Sequence, residues 1–265
     1  LLKDGHNVVS LDNYSTGKEE NHQEGCEYVD ADIRDVIDFD YFMKDVDVVY
    51  HLAALARIQP SFKNPANTLE VGILGTMNIL EWIKEKENKP RVVFAGSSSV
   101  HSGKMKNPYT FSKSVADDLC LLYKKHFGVD VSICRFYNVY GPHQLTEGEY
   151  CTVVGIFENQ YENKEPLTIT GDGFQRRDFT HVDDIVDGLI LTSENETCWD
   201  EIELGRGENQ SINELADMFN HETKYIDERP GEARETLCDT QIAERLIGYK
   251  PTRNIEDYIK EVIGE

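Results

Sequence analysis

The segment Asn107-Pro108-Tyr109-Thr110-Phe111-Ser112-Lys113 sets a phenol and an ammonium four positions apart. Asn107 is a fitting N-cap and Pro108 sits well at a first helical position, so a helix is predicted from Pro108 to about Phe127. Positions four apart on a helix share a face, which places Tyr109 beside Lys113. A free phenol has a pKa near 10 and is a poor base at neutral pH. A nearby cation favours the phenolate and lowers that value, so the pair has the makings of a tuned acid/base. Taken alone, the spacing occurs by chance in many helices. Its context sharpens it: upstream, Phe94-Ala95-Gly96 runs into Ser97-Ser98-Ser99. A serine at a strand's carboxyl end can share a substrate proton with a tyrosine.

Positioning these groups needs a scaffold, and the chain reads as alternating strands and helices. Short apolar strands are predicted at residues 8–11, ending at Asp12, and 27–29, ending near Asp32. Others follow at 46–52, 91–95 and 131–136. Leu69, Ile73, Met77, Leu80 and Ile83 fall on one face of a helix over about 67–86. Near-continuous apolar strands alternating with such helices predict an α/β fold, a Rossmann-type doubly wound parallel sheet covered on both faces. After Gly141-Pro142 the pattern loosens into a smaller mixed α/β substrate-binding lobe. The expected division is residues 1–138 plus about 180–198 for the sheet domain, and about 139–179 and 199–265 for the lobe.

The opening Leu1-Leu2-Lys3-Asp4-Gly5-His6 reads as a helix C-terminus capped by Gly5. A dinucleotide-binding sheet usually starts with a strand, a Gly-rich turn and a helix, so a preceding segment of about 20 residues is expected.

Composition narrows the function. There are 49 acidic against 27 basic residues, a formal charge of −22. This opposes binding to nucleic acid or to an anionic membrane, and requires that any anionic substrate meet locally placed Arg or Lys. No apolar run reaches the roughly 18 residues of a membrane span. The six cysteines form no C-x-x-C pair, so no metal site is expected, and they read as reduced thiols of a cytoplasmic protein. Ser15-Thr16-Gly17-Lys18 lacks the remaining positions of a phosphate loop. His181 with Asp183-Asp184 could suggest a metal, but Asp183 is better read as a helix cap, and His51 as a structural residue.

Further motifs join the Ser and Tyr-Lys elements in order: His51-Leu52-Ala53-Ala54, Arg135-Phe136-Tyr137-Asn138-Val139-Tyr140-Gly141-Pro142, Arg176-Arg177-Asp178-Phe179-Thr180-His181 and Arg229-Pro230-Gly231-Glu232. Together, over nearly the whole chain, they resemble the extended short-chain dehydrogenase/reductases of the NAD-dependent epimerase/dehydratase type, similar to UDP-glucose 4-epimerases. The resemblance implies Ser97, Tyr109 and Lys113 as catalytic, with Ser98 the next candidate should the serine register slip. It implies NAD as cofactor, held by Asp12, Asn13, Asp32, Ile33, Leu52, Ala53 and Ala54 together with Tyr109 and Lys113. Asp12 at its strand end would grip the adenosine ribose, favouring NAD over NADP. Ser98, Asn138, Arg177 and Arg229 would meet the substrate, the arginines on its phosphates.

The resemblance implies epimerisation at C4 of a nucleotide-linked sugar, expected to be a UDP-hexose, through a transient 4-keto sugar. The alternatives are a nucleotide-sugar dehydratase or decarboxylase, or a non-catalytic nucleotide-sugar binder. Ser98 and Ser99 stand where 4,6-dehydratases carry an acidic pair and decarboxylases a glutamate, which disfavours both. Thr236 aligns with a position that gates sugar size, and a small residue there leaves room for an N-acetyl group. Three departures stand out: Ser97 and Tyr109 are only 12 positions apart, Gly72 replaces a usual Asn, and His101-Ser102 replaces Tyr-Gly. A homodimer through the helices at 67–86 and 108–127 is the family expectation.

Overall fold

The computed structural model describes residues 1–35, 39–43 and 45–264; Glu265, the end of the expected lobe, lies outside them. In chain order the strands are β1 (Val8–Asp12), β2 (Cys26–Asp30), β3 (Val48–His51), β4 (Arg91–Ser97), β5 (Val131–Phe136), β6 (Asn138–Tyr140), β7 (Leu167–Thr170), β8 (Arg176–Arg177), β9 (Phe179–His181), β10 (Ile202–Leu204), β11 (Gln210–Ser211) and β12 (Thr223–Ile226). The helices are α1 (Phe39–Phe42), α2 (Ile58–Lys63), α3 (Pro65–Leu69), α4 (Thr76–Lys84), α5 (Pro108–Phe127), α6 (Val153–Glu162), α7 (Val182–Glu194), α8 (Ile212–Met218), α9 (Thr240–Ile247) and α10 (Ile255–Ile263).

A parallel sheet runs in the order β10-β5-β4-β3. β1 and β2 form a separate parallel pair, with Asp12 opposite Asp30 at its carboxyl end. The expected sheet is thus in two pieces, because among the described residues no strand bridges β1 to β3. The fold class is as read: a Rossmann-like parallel sheet with helices on both faces.

Alternation along the strands builds the two layers. Val92, Phe94, Val131 and Ile133 face a core shared with Leu80, Ile83, Ala116 and Cys120 of α4 and α5. Val93 and Cys134 face the other side, against Ile185 and Leu189 of α7, Ile202 and Leu204 of β10, and Ala243 and Ile247 of α9. Residues 202–204, which the sequence reading grouped with the lobe, therefore pair with β5, and α9 packs on the same layer. A separate core of Tyr140, Phe157, Leu167, Ile169, Phe179, Leu215, Phe219 and Ile259 holds the lobe.

The helix expected at 67–86 is interrupted. α3 and α4 flank a π-helical stretch, Glu70–Gly75. Within it, a Cβ on Gly72 would lie 2.9 Å from Cβ of Ser112, so the missing side chain lets this helix approach α5 closely. α5 begins and ends as its sequence dictates. Asn107 Oδ1 accepts from the Thr110 amide at 2.8 Å, Pro108 opens the first turn, and Gly128 closes it with φ 66°. Leu2–Asp4 is a short 3₁₀ turn closed by Gly5 at φ 85°.

Candidate active site

The carboxyl end of β4 and the first turn of α5 meet at a cleft of about 460 Å³. Its walls include Leu52, Ala54, Ser97, Ser98, Tyr109, Lys113, Asn138, Arg177 and Arg229. Residues scattered over 178 positions of chain thus share one cavity, Ser97, Tyr109 and Lys113 among them.

Ser97 is the last residue of β4 and is buried. Its Oγ lies 2.9 Å from Oγ of Ser99 and accepts from the Ser99 amide at 3.3 Å, capping the turn 98–102. Tyr109, in the first turn of α5, lines the same cleft. Ser97 and Ser98 both line the cleft with Tyr109.

Lys113 is only 5% exposed. Its Nζ donates to the Ala95 carbonyl at 2.7 Å and lies 4.9 Å from the centre of the Phe94 ring. Burial pulls its pKa down to about 8, with Asp117 acting in the opposite sense. Burial likewise raises the Tyr109 phenol, opposed by the Ser97 hydrogen bond and by the charge of Arg57. Sequence spacing led us to expect Lys113 to lower the phenol's pKa. Instead burial holds the phenol above its ordinary value; the cation that acts against this is Arg57, while the Lys113 ammonium donates to Ala95.

Beneath the site, Arg135 is buried between Asp117, at 2.9 Å, and Glu201, at 2.5 Å. The same guanidinium donates to the Ser97 carbonyl at 3.2 Å. Asp117 is one helical turn beyond Lys113, so this ion network ties the β4 end to α5. His51 is buried, and its Nε2 lies 2.9 Å from Oγ1 of Thr76, which donates to the Gly72 carbonyl at 2.7 Å. Nε2 therefore carries the proton. Burial, then the charge of Lys113, lower its pKa to about 3, so it stays neutral and structural.

The proposed cofactor residues divide between this cleft and the β1–β2 end. Leu52 is half exposed on the cleft wall and Ala54 lines it too, giving apolar surface for a flat ring. Ala53 is exposed at the end of β3. Asp12 ends β1 with an exposed carboxylate whose Oδ1 accepts from the Tyr14 amide at 2.8 Å. Asn13 donates to Asp32 at 2.8 Å, and Arg34 holds Asp32 at 2.6 Å, its carboxyl well below the usual range. Ile33 is buried, its side chain directed at Gly75. An open acid at a strand's carboxyl end beside an apolar cleft fits a dinucleotide.

On the lobe side, Asn138 Nδ2 donates to the Asp178 carbonyl and to Oγ1 of Thr236, both at 3.1 Å. Thr236 lines the cleft. Arg177 is mostly buried, 3.5 Å from Glu232, while Arg229 is exposed; both also border a smaller cavity with Thr170 and Gly171. Asp178 of the Arg-Arg-Asp motif is structural, accepting the amides of Arg206, Gly207 and Cys238. His181, not Asp183, caps α7: its Nδ1 accepts from the Asp183 amide at 3.1 Å.

Sequence reasoning passed over Arg57, Asp117, Arg135 and Glu201. It also missed a group of His101, Glu201 and Glu203 whose ligand-type atoms lie within 4.8 Å. All three are already engaged within the protein, His101 with Glu203 at 2.5 Å and Glu201 with Arg135. All six cysteines are free thiols, and among the described residues no helix is long and apolar enough to cross a membrane.

The chain is similar to named relatives over almost its full length. It is 33% identical to a putative UDP-glucose 4-epimerase of Methanocaldococcus jannaschii, covering 100% of this chain and 92% of the relative. It is 29% identical to UDP-glucuronic acid decarboxylase 1 of Xenopus tropicalis, covering 99% of this chain and 67% of the relative. The crystal structure of UDP-glucose 4-epimerase with UDP-glucose from Thermotoga maritima superposes with a TM-score of 0.92 at 26% identity, covering 100% of this chain and 92% of that one. The model of the NAD dependent epimerase/dehydratase family matches residues 1–204, more than half of the sequence, and with that match the chain belongs to this family of nucleotide-sugar-modifying enzymes and has NAD as its cofactor.

Proposed function

We propose that the protein epimerises the C4 centre of a UDP-linked sugar. The observation that carries this reading is that Ser97 at the end of β4 and Tyr109 and Lys113 in the first two turns of α5 line one cleft with Asn138, Arg177 and Arg229. Tyr109 takes the proton from the sugar 4-hydroxyl, and Ser97 shares the hydrogen bond that orients that hydroxyl. NAD, when bound, supplies reversible hydride acceptance and donation, so no net redox occurs. Lys113 holds the nicotinamide ribose, and Asp12, Asn13, Asp32, Ile33, Leu52, Ala53 and Ala54 hold the remainder of the dinucleotide. Arg177 and Arg229 bind the diphosphate, with Asn138 and Ser98 beside the substrate.

Serines at 98 and 99 favour epimerisation over dehydration or decarboxylation, since neither can act as a carboxylic acid or carboxylate near neutral pH. The exposed apolar side chains of Leu121, Leu122 and Phe127 on α5 and of Leu74 beside α4 are consistent with a homodimer through these helices.

The test is incubation with NAD and a panel of UDP-hexoses, UDP-N-acetylhexosamines and UDP-uronates, followed by product identification. A C4 epimer as sole product is expected. A 4-keto-6-deoxy sugar or a pentose product would replace this reading with dehydration or decarboxylation.

A further inference from the structure

Arg57 was given no contact with substrate or cofactor in the reaction just described, yet it lines the same cleft as Ser97, Tyr109 and Lys113. It stands where the loop after β3 turns into α2. Its Nε donates to the Tyr150 carbonyl at 2.6 Å and its NH1 to the Ala56 carbonyl at 2.7 Å. Among the described residues no carboxylate pairs with it; the acid next to Tyr150, Glu149, is engaged by Lys63. A largely buried cation without a counter-ion is costly, and it is the more unusual in a chain of charge −22. Burial lowers its pKa, with partial compensation from Tyr109; both residues border the large cleft and neither borders the smaller cavity.

This position separates Arg57 from the other two arginines of the cleft. Arg177 and Arg229 also border the smaller cavity beside Thr170 and Gly171, and Tyr109 does not. If Tyr109 meets the sugar's O4, the next ring substituent is C6, attached to C5. An anion carried on C6 falls beside the group that binds O4, and a guanidinium can hold a carboxylate by two parallel bonds.

We propose that Arg57 binds a C6 carboxylate, so that the substrate is a nucleotide-linked uronic acid rather than a neutral hexose. This rests on the C4-epimerase reading for the placement of the sugar.

The test compares UDP-glucuronate with UDP-glucose, in the presence of NAD, for the wild-type protein, Arg57→Gln and Arg57→Lys. Both turnover and binding are measured, the latter by calorimetric titration, with unfolding midpoints to show that each variant is folded. In the wild type, kcat/KM and affinity should favour the uronate. Arg57→Gln should lower both for the uronate by about 10- to 100-fold beyond any loss seen with the neutral sugar, the scale of a lost charge-assisted bond; the loss shared by both sugars reports the cation's effect on Tyr109. Arg57→Lys should restore part of the preference. A wild-type preference for UDP-glucose, or an equal loss for both sugars, would overturn the proposal. So would a loss confined to NAD affinity, which would make Arg57 a cofactor-phosphate residue. If the uronate binds in an Arg57-dependent way but yields a pentose and CO2, the carboxylate assignment stands and the epimerase reading fails.

Discussion

Lys113 donates from Nζ to the backbone carbonyl of Ala95 at 2.7 Å, tying the second turn of α5 to the end of the central strand two residues before Ser97. One bond thus fixes the distance between the elements that carry the serine and the tyrosine. It also leaves an ammonium in an environment that disfavours its charge, with consequences for pH.

The Lys113 pKa is depressed to about 8 from 10.5. Between those values the unfolded chain binds the extra proton, so this group makes stability rise with pH across the window and contributes its full destabilisation below about 8. Urea midpoints measured from pH 7 to 10 should therefore rise in the wild type relative to Lys113→Met. Parallel curves for the two proteins would show that the lysine is not perturbed.

Replacing Tyr109 by Phe removes the proposed base and keeps the ring. Turnover of any UDP-sugar substrate should fall by about 10²- to 10⁴-fold. Retained NAD, measured by release on denaturation, should be nearly unchanged. Near-normal turnover would dismiss the phenol as the proton acceptor.

Arg135 joins Asp117, Glu201 and the Ser97 carbonyl at a buried point. Arg135→Met leaves Asp117 buried without its cation, a loss of about 3–5 kcal/mol in unfolding free energy. Because the same residue holds the Ser97 end of β4, kcat should fall even at temperatures where the variant is folded. A double variant with Asp117→Leu should regain much of the stability and little of the activity.

Gly72 faces Ser112 across the contact between its helix and α5, with 2.9 Å available to a Cβ. Gly72→Ala should cost about 1–3 kcal/mol by overpacking, in spite of the better helix propensity of alanine. Adding Ser112→Gly should recover part of this loss. A stabilised Gly72→Ala variant would show that the two helices separate without penalty.

The parallel sheet, the capped helix α5 and the Tyr109–Lys113 face were legible in the sequence, because backbone hydrogen bonding and side-chain periodicity act over a few residues. The family resemblance was legible too, since it rests on ordered motifs, and the family match bears it out. The direction of the phenol's pKa was not: spacing can place Lys113 near Tyr109, but only the packed site buries the phenol, which raises it, and bonds the ammonium to Ala95. The pairing of β10 with β5 escaped for a similar reason, as a three-residue strand carries little periodic signal of its own. Neither Arg57 nor Arg135, although Arg135 opens one of the motifs, carries a sign of its pairing in the sequence. Tertiary structure alone separates them, giving Arg135 the buried Asp117 and the exposed Glu201 and leaving Arg57, among the described residues, with no carboxylate, because charge pairing between distant residues depends on which surfaces the fold brings together.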